Sequence, residues 1–189
     1  DVGSSNPHDV AVCTDQLFIS LYGENRIPIL DQASLEQIND IDISEWADAD
    51  GTAEASSMVV VDDQLYIGLQ RLDRNNGFEP GTSVTLQIDC PSQSVVNSWE
   101  MGGNIELIEW DDSVAMVTQS TDIMEAGVLA WNGTDWTRVW TADGNMSGAE
   151  YKDDRLFYSS LNASQTEYVL YCVDMTSGTQ STSNAWSEY

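Results

Sequence analysis

Four times along the chain an apolar run meets a short polar turn and a second apolar run follows. The four are DVAVCTDQLFISL from Asp9, SMVVVDDQLYIGL from Ser57, ELIEWDDSVAMVT from Glu106 and GAEYKDDRLFYSS from Gly148. Aligned on Asp15, Asp63, Asp112 and Asp154, they lie 48, 49 and 42 residues apart. Each then continues into a third run that ends on a polar residue: RIPILD at Asp31, VTLQID at Asp89, GVLAWN at Asn132 and YVLYCVD at Asp174. Fourth runs follow as EQINDIDI, SVVNSWEM, TDWTRVW and the tail near STSNAWSEY. Val59, Val61, Leu65, Ile67 and Leu69 fall mostly at two-residue spacing, and β-branched or aromatic residues dominate, which is the signature of strands. Helix signals are nearly absent.

A small four-stranded sheet gains a core only by stacking on a neighbour, and a period of about 40–50 residues is that of propeller blades. The predicted fold is therefore all-β: a β-propeller of four-stranded antiparallel blades, with blade-like units at about 6–50, 51–101, 102–142 and 143–189 in one domain. Propellers usually have four to eight blades. The expectation is that these four belong to a longer ring, with closure on themselves and completion by another chain as alternatives. Asn132-Gly133 predicts a two-residue hairpin turn, since both residues tolerate positive φ.

The run NPHDVAVCTDQLFISLYGENRIPILD (Asn6–Asp31) resembles a blade of the YVTN-type bacterial β-propeller repeat family, with its Pro-x-x-Val-Ala-Val strand, glycine-containing loop and strand ending in Asp. MVVVDDQLYIGLQRLDRNNGF (Met58–Phe78) is similar to blades of the same group. The resemblance covers the first two units. It implies an extracellular, periplasmic or cell-surface protein that works as a binding or scaffold module, and no single activity.

Charge narrows the partners. The 189 residues carry 32 Asp+Glu against 6 Lys+Arg, a formal net charge of -26. Nucleic-acid binding needs clustered cations, so it is excluded. No apolar run approaches the ~20 residues of a membrane-spanning segment. The carboxylate density suits salt adaptation or collection of divalent cations. Cys13, Cys90 and Cys172 are odd in number, so one at least is free within the chain, and their apolar settings predict small buried hydrophobes.

Function in ring proteins sits on loops that break the repeat. Unit two carries such a surplus, QRLDRNNGFEPGTS, in which Asp73, Asn75, Asn76 and Glu79 surround Gly77. WADADGTAE between units one and two sets Asp48, Asp50 and Glu54 about Gly51. Both offer hard oxygen ligands and make Ca²⁺ the one cofactor named; solvated turns would have the same composition. Trp131, Trp136 and Arg138, with Trp140, form an aromatic and cationic group suited to stacking on a protein or glycan ligand. Trp136, Arg138 and Trp140 are expected on one strand face, and filling between blades is the alternative role for the tryptophans. Asn132, Asn145 and Asn162 begin glycosylation sequons. His8 is the one histidine, and no nucleophile elbow accompanies it. A propeller lyase or hydrolase with carboxylates at its channel mouth, and a subunit of a surface filament or layer, are the competing functional readings.

Overall fold

The computed structural model describes residues 6–118, 125–161 and 167–183. The repeats fold into four antiparallel four-stranded sheets. Sheet 1 is β1 (Pro7–Cys13), β2 (Gln16–Leu21), β3 (Arg26–Asp31) and β4 (Gln37–Asp42), in that spatial order. Sheet 2 is β5 (Ala55–Val61), β6 (Gln64–Leu69), β9 (Thr82–Asp89) and β10 (Ser94–Gly102), with the two-residue strands β7 (Leu72–Asp73) and β8 (Glu79–Pro80) inserted between β6 and β9. Sheet 3 is β11 (Ile105–Trp110), β12 (Ser113–Thr118), β13 (Gly127–Trp131) and β14 (Trp136–Thr141). Sheet 4 is β15 (Ser147–Lys152), β16 (Arg155–Leu161), β17 (Tyr168–Asp174) and β18 (Thr179–Ser183). The last strand thus starts ahead of the tail run, whose residues from 184 on lie outside the described ones, as does Asn162.

The conserved rhythm has a backbone cause. Thr14 and Asp15, Asp62 and Asp63, and Asp153 and Asp154 all have positive φ between 47° and 60°. Positive φ at both central residues is what a type I′ hairpin demands, and Asp is among the few side chains that accept it. The acids that end the third strands do a second job. Asp31 Oδ1 accepts from the Ala33 and Ser34 N–H groups at 3.1 and 2.7 Å, Asp89 Oδ2 from Ser92 N–H at 3.0 Å, and Asp174 Oδ1 from Thr176 and Ser177 N–H at 3.0 and 2.9 Å. Each caps the turn into the fourth strand. The bonds from Ser34, Ser92 and Ser177 hold these three carboxyls below the usual range.

Asn132 fills the same position but corrects an expectation. Its Oδ1 accepts from Thr134 and Asp135 N–H, both at 2.9 Å, so the connection is a four-residue loop, 132–135, and not a two-residue turn. The side-chain cap outcompetes the tight turn. Pro28 leaves a comparable mark in β3: β2 pairs with β3 only from Gln16↔Asp31 to Phe18↔Ile29, stopping where the imide nitrogen has no hydrogen to offer.

The chain divides into two compact units, Asp1–Leu107 and Ile108–Tyr189. Unit 1 buries a mainly aliphatic core between sheets 1 and 2, including Ile27, Ile29, Leu65, Ile67, Leu86 and Ile88 around Phe18. Unit 2 buries Ala115, Val117, Val128, Leu156, Tyr158 and Val173, with Trp110, Trp140 and Tyr151 packed against them. Cys13 and Cys90 are joined by a disulfide across 77 residues, while Cys172 is free. Two of the three cysteines are therefore a covalent tie between sheets 1 and 2 rather than plain buried hydrophobes. Strand ends 77 residues apart in the sequence meet only once the sheets stack, which periodicity alone does not reveal.

Candidate functional site

The two acidic loops, far apart in sequence, form a single cluster in unit 1. In the first, Asp48 Oδ1 accepts from Asp50 N–H and Asp50 Oδ1 from Thr52 N–H, both at 2.9 Å, while Gly51 supplies a φ of 86°. Asn25 from sheet 1 clamps this loop, donating to the Gly51 carbonyl and accepting from Ala53 N–H, both at 2.8 Å. In the second, Asp73 caps a 3-10 turn over Arg74–Asn76 through Asn75 N–H at 2.9 Å, and Asn76 bonds Glu79 across the β7–β8 hairpin.

Arg74 joins them. Its Nε lies 2.7 Å from Glu54 Oε1, its backbone N–H donates to Asp50 Oδ2 at 3.0 Å, and its guanidinium donates to the Tyr22 carbonyl at 2.8 Å. The other Glu54 oxygen accepts from Leu72 N–H. Arg74 also stands 5.5 Å over the Tyr22 ring, which stacks on His8 at 5.6 Å and donates its hydroxyl to Gln70 Oε1 at 3.0 Å. Glu54 is wholly buried. Burial pushes its carboxyl up, against the Leu72 N–H and Arg74. Asp48 is raised too, first by burial and then by the Asp50 and Asp73 charges, whereas Asp50 ends lowered because the Arg74 and Thr52 donors outweigh its burial. The Tyr22 phenol is raised by burial and by Glu54.

Of the candidate calcium ligands, Asp50 and Glu54 meet the Arg74 guanidinium, Asp48 bonds Asp50, and Asp73, Asn75, Asn76 and Glu79 bond one another within the hairpin. Glu54, Asp50, Asp73 and Glu79 each already accept from an internal donor. Among the described residues no group of three or more His, Cys, Asp or Glu side chains is placed to hold a metal ion.

The outermost feature of the cluster is Phe78. It follows Gly77, has a φ of 63°, and is 56% exposed at the tip of the hairpin. A bulky residue in the left-handed region is uncommon, and such outliers gather at functional sites. Its N–H donates to the Asp73 carbonyl at 2.8 Å, which fixes the tip.

The aromatic candidates of unit 2 separate. Trp131 pairs with Trp136 across the loop, ring centroids 5.4 Å apart, and Arg138 shares their face. Trp140 does not. A bulge between Val128 and Leu129 pairs Val128 with Trp140 and Leu129 with Arg138, so Val139 is looped out and Trp140 turns into the core. Arg138 donates to the Glu125 carbonyl at 3.4 Å and packs over Gly127, where a Cβ would collide with the guanidinium and the Trp140 carbonyl. Its head is anchored to backbone.

One pair of residues escaped the motif search. Asp9 Oδ2 accepts from Met58 N–H at 2.8 Å, and Ser57 Oγ from Leu107 N–H at 2.7 Å. Asp9 and Ser57 are equivalent positions of the repeat, as are Met58 and Leu107, so one side-chain latch recurs. Aligning the repeats and asking which polar residues open the first strand would have found it.

No protein-family profile and no curated protein matches the sequence. Solved structures do. A chain of the hydrazine synthase of Kuenenia stuttgartiensis superposes with a TM-score of 0.68 at 13% identity, covering 95% of this chain and 49% of that one. The RRP9 WD40 repeats give 0.65 at 10%, covering 95% and 51%. The Neurospora crassa Pan2 WD40 domain gives 0.62 at 10%, covering 93% and 50%. This chain has the β-propeller fold. Its four sheets are blades, and the chain spans about half the length of these propellers.

Proposed function

We propose that the protein is a YVTN-type binding module of the cell envelope or exterior, engaging a protein or glycan through the loop face of unit 1. Phe78 carries the reading: an exposed aromatic held at positive φ on the one hairpin among the described residues that interrupts the blade pattern. Aromatic anchors on rigid supports dominate binding energy. The support here is Arg74, which pairs with buried Glu54 and donates to the Tyr22 carbonyl of blade 1. A disulfide between blades suits a non-reducing compartment, and no helix among the described residues is long and apolar enough to cross a membrane.

In this reading Arg74, not a bound Ca²⁺, neutralises the loops. A calcium titration should leave the unfolding midpoint in place; an increase reversed by chelator would restore the calcium-stabilised form of the proposal. For binding itself, immobilised protein should retain a defined envelope component that Phe78→Ala, folded by circular dichroism, retains at least about tenfold less. Equal retention would overturn the role of the hairpin.

A further inference from the structure

The blades share a template, and blade 3 departs from it where its third strand ends. Asp31, Asp89 and Asp174 hold that position in blades 1, 2 and 4, and Asn132 holds it in blade 3. All four side chains accept from N–H groups of the turn that follows. A carboxylate is the stronger acceptor, since charge-assisted hydrogen bonds are roughly twice as strong as neutral ones. Capping alone therefore does not account for the amide. What the amide adds is a nitrogen.

Asn132, Gly133 and Thr134 form the acceptor pattern for N-linked glycosylation, a modification of surface loops in secreted proteins. Residues 132–135 are all exposed. Asn132 Oδ1 is held by the Thr134 and Asp135 N–H groups, and the Asn132 N–H bonds the Asp135 carbonyl at 3.2 Å. Nδ2 donates to Thr137 Oγ1 at 3.3 Å on the surface, which takes one of its two hydrogens. A sugar carbon in place of the other leaves the cap and that bond intact. The sequon at Asn145 is built differently. Met146 is wholly buried and Ser147 opens β15, its carbonyl accepting from the Ser159 hydroxyl, so the two residues after Asn145 are held by core and sheet. Beside Asn132, half-buried Trp131 and Trp136 close the base of the loop with ring centroids 5.4 Å apart, apolar surface on which the first sugar can pack.

We propose that Asn132 is a glycan attachment site, modified by transfer from a diphosphate-linked sugar donor. The bond from Asn132 Nδ2 to sugar C1 forms, the C1–O bond to the diphosphate breaks, one Nδ2 proton passes to the transferase, and the diphosphate leaves with the bonding pair. The glycan then stands beside the Trp131–Trp136 pair at the end of the β13–β14 hairpin. The site rests on the envelope reading above, because this modification belongs to exported chains.

The other blades supply the test. The protein is purified from the cells that make it, as wild type, Asn132→Asp, Thr134→Ala and Thr134→Ser, and its peptides are mapped by mass spectrometry. Asn132→Asp places there the acid that caps the other three blades, so it folds and has no amide nitrogen. Wild type and Thr134→Ser should carry a sugar mass on Asn132; Asn132→Asp and Thr134→Ala should lose it completely, with circular dichroism unchanged. An unmodified Asn132 in exported protein with the Cys13–Cys90 bond formed overturns the inference and leaves the envelope reading standing. Recovery from the cytosol with both cysteines as thiols overturns the envelope reading and the site with it. A sugar that persists in Thr134→Ala overturns the inference by showing that attachment does not follow the sequon.

Discussion

Units 1 and 2 build the same two-blade stack by different means. Unit 1 fills its core mainly with branched aliphatics and ties its blades with a disulfide, the Asp9 latch and the Arg74 bond to the Tyr22 carbonyl. Unit 2 has small residues where Phe18 and Ile29 stand in unit 1, namely Ala115 and Ala130, and the space is taken by aromatics. Trp110 stacks on Tyr151 at 3.9 Å and Tyr158 on Tyr171 at 4.9 Å. One strand template thus tolerates two packing solutions, because what a blade core requires is filled volume at close packing, not particular side chains.

The largest test of that contrast is covalent. Cys13→Ser/Cys90→Ser should cost unit 1 roughly 4 kcal/mol, from the loop the disulfide closes. Hydrogen exchange across residues 6–107 would report it, with unit 2 keeping its protection; equal loss in both units would show that they unfold as one. The counterpart in unit 2 is Tyr158→Ala, which removes a ring only 2% exposed and should cost about 3 kcal/mol in that unit. If unit 2 barely responds, aromatics are not what fills it.

Next comes Arg74→Met, which strands the Glu54 carboxylate in the interior. Arg74 is one-third exposed, so the loss is put at about 2 kcal/mol at neutral pH, below that of a fully buried pair. Glu54 is already raised above the usual carboxylate range, and a raised carboxyl binds its proton more tightly folded than unfolded. Its penalty therefore grows as pH rises through and above the unfolded value and shrinks in acid. Unfolding of Arg74→Met against wild type at pH 4 and pH 7 should show the gap narrow in acid; a pH-independent gap would mean the arginine acts by packing alone.

The smallest effect belongs to the surface caps. Asp31, Asp89 and Asp174 are lowered, so the stability they contribute is present above the unfolded carboxyl value and is lost as pH falls through their folded values. Replacing all three by Asn, which keeps an acceptor, should flatten the acid limb of the unfolding curve while leaving neutral stability nearly unchanged. An unaltered acid limb would show that the caps do not depend on charge.

The blade pattern was legible because it is local: two-residue alternation, acidic turns and a polar third-strand end recur within each repeat. RIPILD and YVLYCVD match β3 and β17 residue for residue. The site was half legible. Loop composition picked out Asp48, Asp50, Glu54 and Asp73, but nothing in either loop announces that Arg74 of the second will insert among the acids of the first. Tyr22 and His8 come from a third segment altogether. The bulge that sends Trp140 inward was hidden for another reason: a single looped-out residue reverses strand parity and leaves no compositional trace.

The sequence by itself determined the four sheets and the acidic turns at Asp15, Asp63 and Asp154, since alternation and turn chemistry act over a few residues. Only the tertiary structure decided which cysteines are bonded and which acids surround an arginine. Those depend on residues tens of positions apart coming within bonding distance, and that happens only when one sheet stacks on another.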